Sequence, residues 1–299
     1  MTWFDLGDVA VVPVVELERL LIDPEEFFPG LGQPDGPYFV EPWFDTASGS
    51  LVYRMQAFVV LTPAGVVLVD GCIGPGKERQ RDAFNGLDDT WFTRFTATGL
   101  GRTEVDHVIF THLHVDHVGW ATWRHSSGQW EPVFPRAQHL VTSAEVGHWT
   151  SAAGAAAMTR TGDYVADSIA PIRQAGLLAE VPPDMVVNPF IRLRPASGHT
   201  PGSVCVEVEG SEGRLVLIGD VMHHPLQLVQ PGLSTRYCVA PTEASRTRQR
   251  LLADAARDGT VLVPSHFAGD GAFRVELQDQ GYRMVPATDM VRRSAFRRG

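Results

Sequence analysis

Residues 111–120, THLHVDHVGW, place His112, His114, Asp116 and His117 within six positions. Imidazole and carboxylate are the side chains that best hold borderline divalent cations. In extended chain, an alternation of two puts His112 and His114 on one face. Asp116 and His117 follow as the chain turns and can face a second position beside it. Gly119 then allows a sharp exit, by positive φ and by close passage of backbone. Composition alone would give this pattern in roughly one chain in a thousand.

Three more residues of the same chemistry stand just past apolar, strand-like runs. IRLRPASGH ends on His199, RLVLIGD on Asp220 and TVLVPSH on His266, while VDHVIFTH delivers His112 itself. Strand ends along one edge of a sheet converge on a single crevice, where layered α/β proteins place their chemistry.

The frame for such ligands is visible in the hydrophobic pattern. VAVVPVVEL (9–17), LVYRMQAFVVLT (51–62) and GVVLVDG (65–71) read as strands, and Pro-Ala-Gly at 63–65 closes the last two into a hairpin. TSAEVGHW carries a capping-box pattern from Thr142 to Glu145. DYVADSIAPIRQAG and PTEASRTRQRLLADAARDG space their apolar residues helically, the second from Pro241 to a stop at Gly259. Strands and helices interleave, so the class is α/β with sheet and helices layered. No linker, repeat or composition break divides the chain, and one domain over 1–299 is expected. Within it lie an N-terminal strand and irregular arm (1–50), a metal-site core (51–270) and a C-terminal extension (271–299). The arm, rich in Gly and Pro over 29–50, is long enough to cover a site or to reach a second copy in a homodimer.

Composition removes several functions. With 44% hydrophobic residues there is ample core for 299 positions, and the formal net charge of −10 argues against a nucleic-acid surface or an anionic membrane. No run nears the roughly 18 apolar residues of a membrane helix, and the N-terminus lacks the basic start of a secretory signal. Cys72, Cys205 and Cys238 are too few and scattered for a disulfide framework and read as buried thiols, which suits a reducing cytoplasm. Arg292, Arg293, Arg297 and Arg298 read as a frayed, solvated tail.

THLHVDH, SGHTPGS around His199, IGD at Asp220 and PSHF at His266, in that order from about residue 50 to 270, resemble the metallo-β-lactamase superfamily of metal hydrolases. The resemblance implies an αββα sandwich of two mixed sheets with helices outside. It assigns His112, His114 and His199 to one metal and Asp116, His117 and His266 to another, with Asp220 bridging. Asp70 matches the aspartate that orients ligand histidines rather than binding metal. The donor set implies two divalent ions, zinc in first place and iron, manganese or cobalt as alternatives. A hydroxide shared between the metals would be the nucleophile, and Asp116 would take part in proton handling.

Departures from the pattern narrow the substrate. The β-lactamases that name the group have a cysteine where Asp220 stands, and glyoxalase II has glycine where Trp120 stands. N-acyl homoserine lactonases have a tyrosine three residues past the bridging aspartate, where this chain has His223. GD-x-x-H and the segment before PSHF are more similar to the methyl parathion hydrolase-like branch. Lactone or ester hydrolysis is therefore the leading expectation, with phosphotriesters second. β-Lactams and thioesters are less favoured, and a non-catalytic metal protein is the reading from another class. His223 is placed to donate to a developing oxyanion, while His224 reads as structural. Trp120, Trp123, Trp149, Met222 and Phe267 lie beside the ligand motifs and are expected to wall a pocket for a small, uncharged, apolar substrate.

Overall fold

The computed structural model describes residues 2–32, 36–124, 126–158, 161–269, 271–279 and 281–294. Its strands, in chain order, begin with β1 (Thr2–Asp5), β2 (Ala10–Ile22), β3 (Phe44–Asp45), β4 (Ser50–Thr62), β5 (Gly65–Val69) and β6 (His107–Ile109). After a separate hairpin of β7 (Thr122–Arg124) and β8 (Trp130–Pro132) come β9 (Gln138–Thr142) and β10 (Leu178–Val181). The second sheet uses β11 (Val186–Asn188), β12 (Ile191–Pro195), β13 (Val204–Gly210), β14 (Gly213–Leu217), β15 (Val261–Val263), β16 (Phe273–Leu277) and β17 (Tyr282–Pro286). The last strand, β18 (Val291–Arg293), returns to the first sheet.

The first sheet runs β10-β9-β6-β5-β4-β2-β1-β18 with β3 on β4, and the second runs in simple order from β11 to β17. Both are mixed. The pairs β5/β6, β6/β9, β9/β10 and β14/β15 are parallel, and the remaining neighbours are antiparallel. Alternation decides which residues lie between the sheets. Val67 and Val69 of β5 pack with Val206, Leu215, Leu217, Val261 and Val263 of the facing sheet. Val66 and Leu68 turn the other way, into the cluster that includes the outer helices. Strands buried on both faces explain the continuous apolar runs in the sequence.

Helices cover the outside. Trp91 and Phe95 of α1 (Thr90–Thr96) join the first sheet's outer cluster, and Leu251, Leu252 and Ala255 of α2 (Pro241–Asp258) cover the second. Pro241 opens that helix and Gly259, at φ 66°, closes it. The helix expected over DYVADSIAPIRQAG is instead a π turn over Val165–Ile169 followed by a short α-helix, Ala170–Gln174. Pro171 lacks the N–H that an uninterrupted helix would need there. Arg292 and Arg293 are not frayed: they pair with Trp3 and Thr2 across β18 and β1, and Arg292 Nε reaches Asp5 at 3.1 Å. Arg297 and Arg298 lie outside the described residues. The arm folds onto its own chain, where Trp43 Nε1 donates to the Ala268 carbonyl and His224 Nε2 meets the Trp43 carbonyl. Among the described residues no helix is long and apolar enough to cross a membrane.

Candidate metal centre

Five strands end at this centre. Asp70 follows β5, His112 follows β6, His199 follows β12, Asp220 follows β14 and His266 follows β15. Because β5 is parallel to β6, and β12, β14 and β15 share one direction, their C-terminal ends reach the same edge of the molecule. There the side chains form two adjoining groups, His112–His114–His199–Asp220 and Asp116–His117–His266, each with its donor atoms within 4.8 Å of one another.

His114 Nδ1 lies 2.9 Å from His112 Nε2 and 2.8 Å from His199 Nε2, and His117 Nε2 lies 3.3 Å from His266 Nε2. Asp220 spans the groups, its Oδ1 3.0 Å from His266 and 3.2 Å from His117, its Oδ2 3.2 Å from His199. Asp220 Oδ1 is buried with no hydrogen-bond partner among the described residues. Converging imidazole nitrogens around an unsatisfied carboxylate oxygen suit divalent cations: N donors about 2.1 Å from a tetrahedral zinc stand about 3.4 Å apart.

Behind the rings, other groups fix the rotamers. His117 Nδ1 lies 2.8 Å from Asp70 Oδ2, His266 Nδ1 2.8 Å from the Arg54 carbonyl, and His199 Nδ1 3.4 Å from Cys238 Sγ. A ring whose Nδ1–H donates backward presents an Nε2 lone pair forward. Asp70 also accepts from Thr111 N at 2.8 Å, so one carboxylate holds both ends of the His112–His117 turn. It sits at φ 63°, a left-handed conformation costly for a non-glycine residue, locked by Asp70 N on the Ile109 carbonyl and Gly71 N on the His117 carbonyl.

Burial opposes ionisation of Asp220, yet His266, His117, His223 and His112 around it hold its pKa well below the usual carboxylate range. Burial pushes His112 and His114 well below the ordinary histidine value. Burial likewise opposes charging of His117, His199 and His266, but Asp220 and neighbouring groups raise all three, His199 to about 10. The same negative field that retains those protons attracts metal cations in competition with them.

The centre forms the floor of a cavity of about 770 Å³. Of the five residues expected to wall it, only Trp149 does so. Trp120 is buried against Trp91 and Phe92 with its Nε1 on Glu16, and Trp123 lies against Phe92 under Arg102. Met222 is in the core, and Phe267 stacks on Phe273. The aromatic wall comes instead from Phe27, Tyr53, Phe84, Tyr164 and Tyr237, and His148 also borders the cavity. Cys238 is not a purely structural thiol, since it lines the cavity and touches His199. His125 lies outside the described residues.

His223 stands at the floor, Nε2 3.0 Å from Asp220 Oδ2, and among the described residues neither ring nitrogen has a properly directed hydrogen-bond partner. Burial pushes its pKa down to about 3, so it is a neutral donor at pH 7 and not the readily charged group its type suggests. His224 Nε2 meets the Trp43 carbonyl and its Nδ1 accepts from Leu226 N, a structural tie between arm and second sheet.

Two glutamates, Glu145 buried and Glu16 half-buried, were not legible as site residues. Glu145 Oε2 accepts from Leu113 N and Trp149 Nε1, both at 2.9 Å, while Oε1 accepts from Gly202 N at 2.8 Å. Thr142 does cap the helix Ser143–Trp149, but Glu145 braces the two ligand loops instead of returning to Thr142. Glu16, freed by a register shift in β2 between Val15 and Leu17, accepts from Ile73 N, Gly74 N and Trp120 Nε1. Burial raises it to about 7.

A sequence profile described as "Metallo-beta-lactamase superfamily" matches residues 55–266. Among solved structures, the hydrolase AbOPH "in beta lactamase superfamily" superposes with a TM-score of 0.75 at 21% identity, covering 95% of this chain and 96% of that one. AidC, described as a dizinc quorum-quenching lactonase, gives 0.74 at 15% identity over 95% and 96% of the two chains. A probable metal-dependent hydrolase from Staphylococcus aureus gives 0.69 at 17% over 92% and 99%. No curated protein sequence matches the chain.

Proposed function

The chain belongs to the metallo-beta-lactamase superfamily and is a metal-dependent hydrolase, and from that premise we propose that it hydrolyses a lactone or carboxylic ester with two divalent ions, zinc foremost. The observation that carries this reading is Asp220, one carboxylate shared by two imidazole groups on the floor of an open cavity. A structural zinc site closes on four ligands, whereas seven donors are gathered here beside space for a substrate. When bound, the ions would supply Lewis acidity at the scissile oxygen and lower the pKa of a shared water from about 15.7 to about 7.

The remaining steps fall to side chains of this chain. His112, His114 and His199 would hold one ion, Asp116, His117 and His266 the other, and Asp220 both. Asp116 borders the cavity and lies 3.7 Å from His266, where its carboxylate can take a proton towards the leaving oxygen. His223 can donate from a neutral ring to a developing oxyanion. The dizinc lactonase among the structural neighbours supports the carbonyl reading.

Phosphotriester hydrolysis is the second reading, favoured by a cavity broad enough for three substituents around phosphorus and by its aromatic walls. A panel of lactones, aryl esters, phosphotriesters and β-lactams on metal-quantified protein decides the order. The expected result is highest kcat/KM on a lactone or aryl ester. Highest kcat/KM on a triester reverses the two readings, and no turnover of any member refutes both.

A further inference from the structure

Among the described residues, two arginines line the cavity. Arg236 has Glu26 3.6 Å away, whereas Arg81 forms no ion pair with a carboxylate among the described residues. Arg81 is nonetheless held in place. Its Nη1 donates to Tyr53 Oη at 2.7 Å, and its guanidinium lies over Phe84 at 5.0 Å and Tyr53 at 5.8 Å. Tyr53 is itself fixed, buried in the core and stacked on Phe27. Its ring also meets the ligand His266 edge-on, 5.8 Å between centroids. Tyr53 is thus a post between the metal centre and the arginine, one ring-width from each.

Arginine carries five N–H donors in a rigid planar fork. Tyr53 uses one and leaves the fork available to a planar anion. Tyr53 also lines the cavity, which puts its phenol beside the same ligand. A single guanidinium matches a singly charged carboxylate. A phosphate dianion would leave half its charge unmatched by that one guanidinium, with Glu26 in the same cavity.

We propose that Arg81, oriented by Tyr53 and Phe84, binds a carboxylate that the substrate carries a few bonds from the carbonyl being hydrolysed. The inference rests on the hydrolase reading and narrows its substrate from neutral esters or lactones to those with a free carboxylate.

The test uses zinc-loaded protein and calorimetric binding of a series of straight-chain α,ω-dicarboxylates, roughly four to eight carbons long, against monocarboxylates of equal length. One carboxylate occupies the metal end and the second reaches Arg81. At least one dicarboxylate should bind about tenfold tighter than its monocarboxylate, the scale of a charged hydrogen-bonded contact. R81M should abolish that advantage, with monocarboxylate affinity and Tm unchanged, and Arg81→Lys should keep part of it. If R81M melts early, R81Q serves the same comparison. An absent advantage at every length, or one that persists in R81M, overturns the proposal. Binding requires no turnover, so this outcome is separate from failure of the hydrolase reading. In hydrolysis, R81M should raise KM for an ester acid and leave the matching ester amide unchanged.

Discussion

Six imidazoles meet at this centre, and what distinguishes them is the group behind each ring. Asp70 braces His117 and the start of the ligand turn together. Asp70→Ala should therefore lower metal affinity about 10- to 100-fold, read as metal retained after dialysis against a graded chelator. Among the described residues His223 has no such backing and no directed partner. His223→Ala should lower kcat about 100- to 1,000-fold, the range of a lost oxyanion donor, with two metals per chain retained; an unchanged kcat would return it to a packing role. The seven donors were legible because their types are chemically restricted and cluster at strand ends. Cys238 and Glu145 were not, because a thiol or carboxylate declares its role only through a partner 39 or 32 residues away in sequence.

Elements explain the aromatic residues that adjacency misplaced. Phe267 follows His266 directly, but the chain bends at Ser265 and His266, so His266 enters the site while Phe267 stacks on Phe273 in the core. Trp149 lies four residues after Glu145 on one helix, the spacing that shares a face, and it does reach the cavity. Gly119 shows a similar limit. Its φ is not positive, and its need is close approach alone: a Cβ there would lie 1.7 Å from the Ile73 carbonyl oxygen. Gly119→Ala should cost about 3 kcal/mol through forced backbone movement, measured as a urea midpoint. A loss below about 0.5 kcal/mol would mean that the 71–74 and 117–120 segments part easily. The helix Pro241–Asp258 was fully legible, since proline at its start, glycine at its end and an apolar stripe all agree. The π turn at 165–169 was not, because apolar spacing alone cannot distinguish four-residue from five-residue closure.

At the scale of the molecule, two sheets bury their strands on both faces, and the order of the strands brings the ligands to one edge. That order was not readable: a strand's hydrophobic pattern shows burial but not its neighbour. Burial also sets the acid limit of the fold. His139, on β9 between β6 and β10, is pushed from 6.5 to about 4 by desolvation. As pH falls below 6.5 the unfolded chain takes a proton that the folded chain refuses. Stability should then drop about 1.4 kcal/mol per unit from this residue until pH nears 4. Urea midpoints at pH 7, 6 and 5 should fall less steeply for His139→Leu than for the parent chain. One carboxylate, Asp220, lies against both imidazole groups and would join two metal positions into one hydrolytic centre. The most direct measurement follows lactone or aryl-ester hydrolysis while zinc is titrated into chelator-treated protein. Activity should rise with metal to a plateau at two ions per chain, and Asp220→Ala should bind less and remain inactive. Full hydrolysis in the metal-free chain, or full metal binding and activity in Asp220→Ala, would contradict it.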